Sequence, residues 1–148
     1  MEYQEVQRFS PVLLAVIAGF IIVVASMLAF GVSGQERIGA ILAALAPVIL
    51  IALLYFTVQL RTSVTDELLQ VRLSPFGGIN VPREDIRSVE VVEYRPLRDF
   101  GGWGIRFGTL GKIYSARGSQ AVKLDVVRRG AIFVGSQNAR RLAVALKS

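Results

Sequence analysis

Two long uncharged apolar stretches occupy the first part of the chain. No residue from Pro11 to Ser33 carries a charge, and a second uncharged stretch runs from Ile38 to Gln59. At 1.5 Å per helical residue, either stretch is long enough to cross roughly 30 Å of hydrocarbon. Neither shows the polar stripe of a helix in a soluble core. The pattern therefore predicts two membrane spans, at about 12–31 and 38–58.

A cleaved signal peptide is the main alternative for the first stretch. Signal peptides have a basic start and an apolar core of about 7–15 residues, whereas here Glu2 and Glu5 outnumber the single Arg8. Composition favours the membrane as well. The 148 residues are 53% hydrophobic and only 19% charged, compared with roughly 25% charged in typical soluble domains.

Only Gly31–Arg37 is left to join the two predicted spans, which favours an antiparallel helical hairpin with both chain termini on one side. Small residues in both spans would allow close helix packing. From Thr57 onward the chain holds 15 of the 17 Lys and Arg but 8 of the 11 Asp and Glu, a net charge of +7. Because cations favour the cytoplasmic side, we expect a two-pass plasma-membrane protein with both termini in the cytoplasm.

After the hairpin, the pattern changes to alternating apolar and polar residues, which is typical of short strands. A two-residue loop at Asp66-Glu67 would pair Val64 with Leu69 and Leu60 with Leu73, so that both apolar sets share one face. A three-residue loop would break this match, because a slip by one residue turns every side chain to the other face. The two-residue register also places Arg61 directly opposite Arg72.

A second hairpin is predicted around Gly130. A three-residue loop would set Val126 against Ile132 and Leu124 against Val134, with Gly130 in the left-handed position that this loop requires. Earlier in the chain, Ser88–Tyr94 changes parity at Val91-Val92, as a β-bulge would.

A single amphipathic helix is predicted at 137–147, with Ser136 as its N-cap and Ala139, Leu142 and Leu146 on one face. About seven short strands followed by one helix is the outline of a pleckstrin-homology-like domain. The predicted fold class is therefore an α+β membrane protein, in which a transmembrane hairpin precedes a small antiparallel β-barrel or sandwich with a C-terminal capping helix. The domains would be a juxtamembrane segment 1–10, the hairpin 11–58 and the β domain 59–148.

The chain resembles a family of uncharacterised bacterial and archaeal membrane proteins that join a two-span hairpin to a pleckstrin-homology-like domain. The most specific part of the resemblance is the run Gly101-Gly102-Trp103-Gly104-Ile105-Arg106. Weaker parts are Glu5-Val6-Gln7-Arg8-Phe9, Leu60-Arg61-Thr62, Gly111-Lys112-Ile113-Tyr114, Gly118 and Ile132-Phe133-Val134-Gly135-Ser136-Gln137. The resemblance implies an architecture, since the family brings no established activity with it.

Eukaryotic relatives of this fold bind phosphoinositides through several Lys and Arg in the first hairpin loop. Here the equivalent place holds Thr65-Asp66-Glu67. An acidic tip would repel a phosphorylated headgroup, which argues against transferring phosphoinositide binding to this chain.

Arg61 and Arg72 form one candidate site. Like charges opposed across a strand pair are unfavourable unless an anion lies between them. Juxtamembrane cations gain about 1 kcal/mol each near an anionic leaflet. One hypothesis is that the two arginines bind lipid headgroups; the alternative is an internal salt bridge to Glu2 or Glu5.

The Gly101–Gly104 run forms the second candidate site, because it places the only Trp among three glycines. One interpretation is structural, with a bulge at a barrel corner and Trp103 filling the core. The other is a protein-interaction patch of Arg98, Trp103 and Arg106, a composition typical of binding hot spots. The glycine spacing does not fit a dinucleotide or phosphate loop.

Catalytic chemistry has little support. The chain contains no Cys and no His, which excludes disulfides, thiolate nucleophiles, histidine bases and histidine-ligated zinc. The adjacent carboxylates Asp66-Glu67 and Glu84-Asp85 are typical of solvated turns. We therefore expect no catalytic residues, no metal and no cofactor. The cations are scattered without a basic helix or a stacking motif, so nucleic acid binding is not expected either.

Together these features predict a two-pass membrane protein that presents a binding module to lipid headgroups or to another protein, in a scaffold or assembly role. The expected partners are the bilayer and an unidentified protein, and a homo-oligomer is left open. The alternative from another class is a membrane-embedded enzyme or a small transporter-associated subunit. A deep pocket with convergent polar groups would favour that alternative.

Overall fold

The computed structural model describes residues 2–148, apart from the side chain of Leu13. The chain divides into two compact units. The first, here called the β unit, combines the segment up to Arg8 with Val58–Ser148; the second, here called the helical pair, is Phe9–Thr57. The sequence-based division set residues 1–10 apart as a juxtamembrane segment, whereas most of that segment is a strand of the β unit.

The helical pair consists of α1 (Pro11–Phe30) and α2 (Glu36–Thr57). Pro11 suits the first helical position because its missing N–H would have no helical acceptor there. The half-buried positions recur every three or four residues, so one seam of each helix faces the other. This seam comprises Leu14, Ala18, Ile21, Ala25 and Ala29 in α1, and Ala40, Ala44, Pro47, Val48, Ile51 and Tyr55 in α2.

Within the described residues, one helix is long and apolar enough to cross a membrane, namely α2. None of its residues is buried within the protein, unlike those of a core helix. The described apolar stretch of α1 is shorter, Leu14–Phe30. The structure is thus compatible with a membrane location, while the pair of spans remains a prediction.

The first sheet has four antiparallel strands in the order β1-β2-β3-β4. They are β1 (Tyr3–Arg8), β2 (Gln59–Val64), β3 (Leu68–Ser74) and β4 (Gly77–Pro82). Because Arg8 is paired with Gln59, the chain leaves this sheet and returns to it at adjacent points. The helical pair is therefore an insertion between two paired strands.

The second sheet has five strands in the order β5-β8-β9-β7-β6. They are β5 (Ile86–Glu93), β6 (Gly104–Gly108), β7 (Gly111–Ser115), β8 (Gln120–Val126) and β9 (Gly130–Gly135). Strands β7 and β9 are parallel, so the prediction of an entirely antiparallel domain is wrong for this pair. Across the described residues the two sheets are open and do not form a closed barrel.

Two further helices cover the second sheet. Helix α4 (Ala139–Lys147) packs on β5 and β8 and also contacts β2, with Leu142 and Leu146 buried. Helix α3 (Pro96–Phe100) lies beside β6. Its Phe100 makes edge-to-face contacts with Tyr94 and Phe133, at ring-centroid distances of 5.8 and 5.3 Å. These aromatic contacts pack α3 against the sheet.

The register of the first predicted hairpin is confirmed. Val64 pairs with Leu69, Leu60 with Leu73, and the connecting loop is Asp66-Glu67. All four apolar side chains are buried.

The register of the second hairpin is wrong by two residues. Val126 pairs with Gly130 and Leu124 with Ile132, so the three-residue loop is 127–129. Gly130 does adopt a positive φ of 72°, and Arg128 in the loop has a φ of 63°. A shift of two keeps every side chain on its predicted face, so the apolar pattern cannot distinguish the two registers.

Candidate functional site

The outward positions of the first sheet carry cations and no acids. Inward positions of β2 and β3, such as Leu60 and Val71, are buried, so the alternate residues face out. The outer face, as we call it, consists of Gln4, Val6, Arg8, Gln59, Arg61, Ser63, Leu68, Gln70, Arg72, Ser74, Gly78, Asn80 and Pro82. It carries three arginines and no Asp or Glu.

Arg61 and Arg72 are direct Cα partners across β2 and β3, as the sequence predicts. Both are exposed. Among the described residues, the Arg61 guanidinium donates one hydrogen bond, to the Gln59 Oε1 at 3.3 Å, and the Arg72 guanidinium donates none. No described carboxylate forms an ion pair with either guanidinium, so two unneutralised cations lie side by side.

The internal salt bridge weighed as an alternative is absent from residues 2–148: neither Glu2 nor Glu5 forms an ion pair with Arg61 or Arg72, and Glu5 faces the other side of the sheet. Its Oε1 accepts the backbone N–H of Gln137 at 2.8 Å, and its Oε2 accepts the hydroxyl of Ser136 at 2.6 Å. The Tyr3 hydroxyl also donates to Oε2, at 2.6 Å. Glu5 therefore joins β1 to the segment before α4 and does not neutralise the outer face.

A polar cleft lies beside Arg72 at the turn between β3 and β4. Its volume is about 490 Å³, and it is lined by Arg72, Ser74, Gly77, Gly78, Ile79 and Asn80, together with Pro75. Gly78 is the Cα partner of Arg72, and a Cβ at Gly78 would collide with the Val71 carbonyl oxygen. Arg72 is thus the one charged residue in a cleft otherwise lined by glycines, Ser74, Asn80, Pro75 and Ile79.

Phe76 is a large apolar side chain at this same turn. It is one of the two residues between β3 and β4, and 64% of its surface is exposed. Since Ser74 is paired with Gln59, which is also paired with Arg8, the turn lies at the end of the sheet where the chain passes to and from the helical pair.

The second predicted site is only partly assembled. Trp103 is half-buried and its Nε1–H donates to the Gly118 carbonyl at 3.0 Å, while the Arg106 Nε–H donates to the Trp103 carbonyl at 3.2 Å. Arg98 is exposed in α3, and within residues 2–148 no hydrogen bond joins it to Trp103 or Arg106. Trp103 therefore does not fill the buried core.

Backbone conformation explains why glycine occupies two of the positions around Trp103. Gly101 ends α3 in the left-handed conformation, with a φ of 71°, and Gly104 begins β6 with a φ of 106°. Positive φ favours glycine over other residues. Chain geometry thus explains part of this run without a ligand.

Two tyrosines outside the helical pair have raised pKa values. Burial, assisted by the hydrogen bond to Glu5, raises the pKa of Tyr3 to about 12. Burial also raises the pKa of Tyr94, against a smaller opposite effect of the Ser115 hydroxyl. Both changes keep the phenol neutral, and neither tyrosine belongs to the outer face.

A metal centre has no support among residues 2–148, where no group of three or more Asp or Glu side chains could hold an ion. Other recesses lie along the helical pair and are lined mostly by apolar residues such as Ile22, Ala25 and Leu45. In contrast to these recesses, the cleft beside Arg72 has a mainly polar lining.

Comparisons with protein-family models, with curated proteins and with solved structures give no match for this chain.

Sequence reasoning singled out Arg61 and Arg72 but missed Arg8, Phe76 and the cleft. Phe76 could have been found, because a large aromatic residue between Pro75 and Gly77 has no turn-forming purpose. Arg8 joins the site only through the pairing of β1 with β2. That pairing connects positions on either side of a 49-residue insertion, Phe9–Thr57.

Proposed function

We propose that this chain is a two-pass membrane protein whose β unit binds the headgroup layer of an anionic leaflet through Arg8, Arg61 and Arg72. Both helices of the pair cross the bilayer, and the β unit and both termini are cytoplasmic. The β unit is a pleckstrin-homology-like binding module with a scaffold role and no catalysis. It holds its outer face against the lipid and leaves the rest of its surface to a protein partner.

The observation that carries the proposal is the pairing of Arg61 with Arg72, without an acidic neighbour, in the sheet that both ends of the helical pair enter. Two opposed arginines repel each other and destabilise the strand pair unless an anion lies between them. Lipid phosphates supply that anion. The covalent connections at Arg8 and Val58 keep this sheet within a few residues of the helices.

The exposed apolar surface of the helices supports the membrane part of the proposal. Phe20, Leu28 and Phe30 in α1 are 66% to 87% exposed, and α2 has no buried residue. In water, apolar surface of this extent would be unfavourable by about 25 cal/mol for each Å². Hydrocarbon removes that penalty. The half-buried seam of small residues suits two spans that pack closely.

The experiment measures how closely the β unit approaches lipid headgroups. The chain has no Cys, so Ser88→Cys provides a single attachment point for a fluorescent donor on the exposed side of β5. The full chain is reconstituted in nanodiscs that contain an acceptor-labelled headgroup. Energy transfer is compared between phosphatidylcholine alone and phosphatidylcholine with phosphatidylglycerol.

We expect more energy transfer with the anionic lipid, and we expect this increase to disappear in the double variant Arg61→Glu/Arg72→Glu. The matched control is Arg117→Glu/Arg140→Glu, which reverses two exposed charges away from the outer face. The control should retain the increase. Equal transfer in the double variant and the unchanged chain, with both folded by circular dichroism, would contradict headgroup binding.

A further inference from the structure

We infer that the turn between β3 and β4 is a lipid-inserting element, in which Phe76 enters the leaflet and the cleft beside Arg72 receives the phosphate of an anionic phospholipid. This inference rests on the proposed membrane location and adds the ligand class and the residues that bind it. Nothing in the headgroup contact of Arg61 and Arg72 by itself requires an inserted side chain.

The place of Phe76 in the sheet is the first argument. Isolated exposed apolar residues are common on soluble surfaces and need no explanation. Phe76, however, lies at the end of the sheet defined by Arg8 and Gln59, through which the chain connects to the helical pair. An aromatic side chain suits the boundary between headgroups and acyl chains, where peripheral helices also place Phe.

The cleft is the second argument, and it is independent of Phe76. Arg72 is its only charged lining residue, and its guanidinium has no hydrogen-bond partner within residues 2–148. A volume of about 490 Å³ is in the range of small-ligand sites. Ser74 and Asn80 line the same space, and a guanidinium can bind a phosphate through two parallel hydrogen bonds.

Together the two features match one amphiphile. The aromatic residue belongs to the loop, and the cleft begins at the strand residues that flank it, so an apolar side chain and a phosphate-binding group are within a few residues of each other. A free phosphate would use the cleft but not Phe76. A protein partner could also contact Phe76 and Arg72, since both residue types occur in binding hot spots, but it would shield the turn from water and lipid alike. A phospholipid uses both.

Immersion of the turn can be measured directly by spin labelling. Phe76→Cys gives a unique label site, since the chain has no Cys, and Phe107→Cys is the matched control, a Phe that is 77% exposed in the other sheet. The full chain is placed in nanodiscs of phosphatidylcholine with phosphatidylglycerol. The collision rate of the label with oxygen, which partitions into lipid, is compared with its collision rate with a water-soluble nickel chelate.

We expect the label at 76 to collide more with oxygen and the label at 107 to collide more with the nickel chelate. A third label at Leu50→Cys in α2 tests the proposed function separately. If Leu50 is lipid-exposed and position 76 is water-exposed, insertion is wrong while the membrane location stands. If position 50 is water-exposed, the proposed function itself fails. A label at 76 shielded from both reagents indicates a protein contact and also overturns insertion.

Two further measurements test Phe76 and the cleft separately by substitution. In the energy-transfer assay, Phe76→Asp should lose the increase seen with anionic lipid, whereas Phe107→Asp should keep it. Arg72→Gln should reduce the phosphatidylglycerol that co-purifies with the chain after detergent exchange, compared with Arg117→Gln. If inorganic phosphate protects the Arg72 region from hydrogen exchange as well as phosphatidylglycerol does, the ligand is a free anion, and the lipid assignment is wrong.

Discussion

The carboxylate of Glu5 accepts the backbone N–H of Gln137 at 2.8 Å, although 132 positions separate the two residues. The same carboxylate accepts the hydroxyl of Ser136, which in turn accepts the N–H of Asn138 at 2.9 Å. The first strand and the start of α4 are thereby fixed to each other.

Removal of the Glu5 carboxylate should loosen β1. We expect Glu5→Ala to lower the free energy of opening of β1 by about 2 kcal/mol, because hydrogen bonds to a charged group contribute about 1.5–3 kcal/mol. Hydrogen exchange of the Gln4–Arg8 amides in the detergent-solubilised chain measures this opening. Glu2→Ala is the control, as Glu2 is exposed and precedes β1. Equal exchange in both variants would show that Glu5 does not hold the strand.

Alkaline pH should weaken the same attachment through Tyr3. The folded state raises the pKa of Tyr3 from 10.0 to about 12, so folding favours the protonated phenol. Its stabilising contribution is therefore complete below pH 10 and is lost as the pH rises from 10 to 12. Denaturant unfolding at a series of pH values should show a falling stability in this window. Tyr3→Phe should make the decline shallower, and the raised pKa of Tyr94 should leave part of it in place.

Thr62 offers a test of an unsatisfied buried group. Its hydroxyl is buried and has no hydrogen-bond partner among the described residues, and the side chain is only 2% exposed. We expect Thr62→Val to raise the free energy of unfolding by about 1 kcal/mol, because the shape is kept and an unpaired polar atom is removed.

The matched variant is Thr65→Val, which should have the opposite sign. The Thr65 hydroxyl accepts the Leu68 N–H at 3.2 Å in the adjoining turn. Its removal should cost about 1 kcal/mol. Urea unfolding of both variants gives the comparison. Destabilisation by Thr62→Val of the same size as that by Thr65→Val would mean that the Thr62 hydroxyl is satisfied.

The sequence is sufficient for features that depend on side-chain parity. The opposition of Arg61 and Arg72 follows from one loop length and the burial of alternate residues, both of which the apolar pattern indicates. The helical period of 3.6 likewise places Leu142 and Leu146 on the buried face of the last helix, although α4 begins at Ala139, two residues later than predicted.

Alternation of apolar and polar residues does not predict the structure where two registers place the same residues on the buried face, or where the buried residues are themselves polar. The register at Gly130 was missed for the first reason. Strand β1 was missed for the second, because its inward side carries Tyr3, Glu5 and Gln7, while Val6 faces out and is 60% exposed. Gln7 is buried because its amide donates to the Gly135 carbonyl at 2.9 Å, a partner 128 positions away.

The apolar pattern does not predict where strands are irregular or which distant strands pair. The bulge expected at Val91-Val92 occurs instead between Ile86 and Ser88 in the pairing of β5 with β8. The parallel pairing of β7 with β9 brings together strands separated by β8, and no local signal specifies it. The cleft beside Arg72 depends on one close backbone approach at Gly78, which appears only in three dimensions.

The two-span arrangement makes a direct prediction about sidedness. Ser33 belongs to the connection between α1 and α2, and Ser119 belongs to an exposed loop of the β unit. In a two-pass protein with cytoplasmic termini, Ser33→Cys faces the outside and Ser119→Cys the cytoplasm. A membrane-impermeant maleimide should therefore label Ser33→Cys in intact cells and Ser119→Cys only in inverted vesicles, because the chain has no other thiol. The opposite result for both sites would keep two spans but reverse the orientation and place the outer face against the other leaflet. Labelling of both sites from the same side would mean that α2 does not cross. Because β1 pairs with β2 and both must lie on one side of the membrane, α1 would then not cross either, and Arg61 and Arg72 would require an anion other than the lipid of this bilayer.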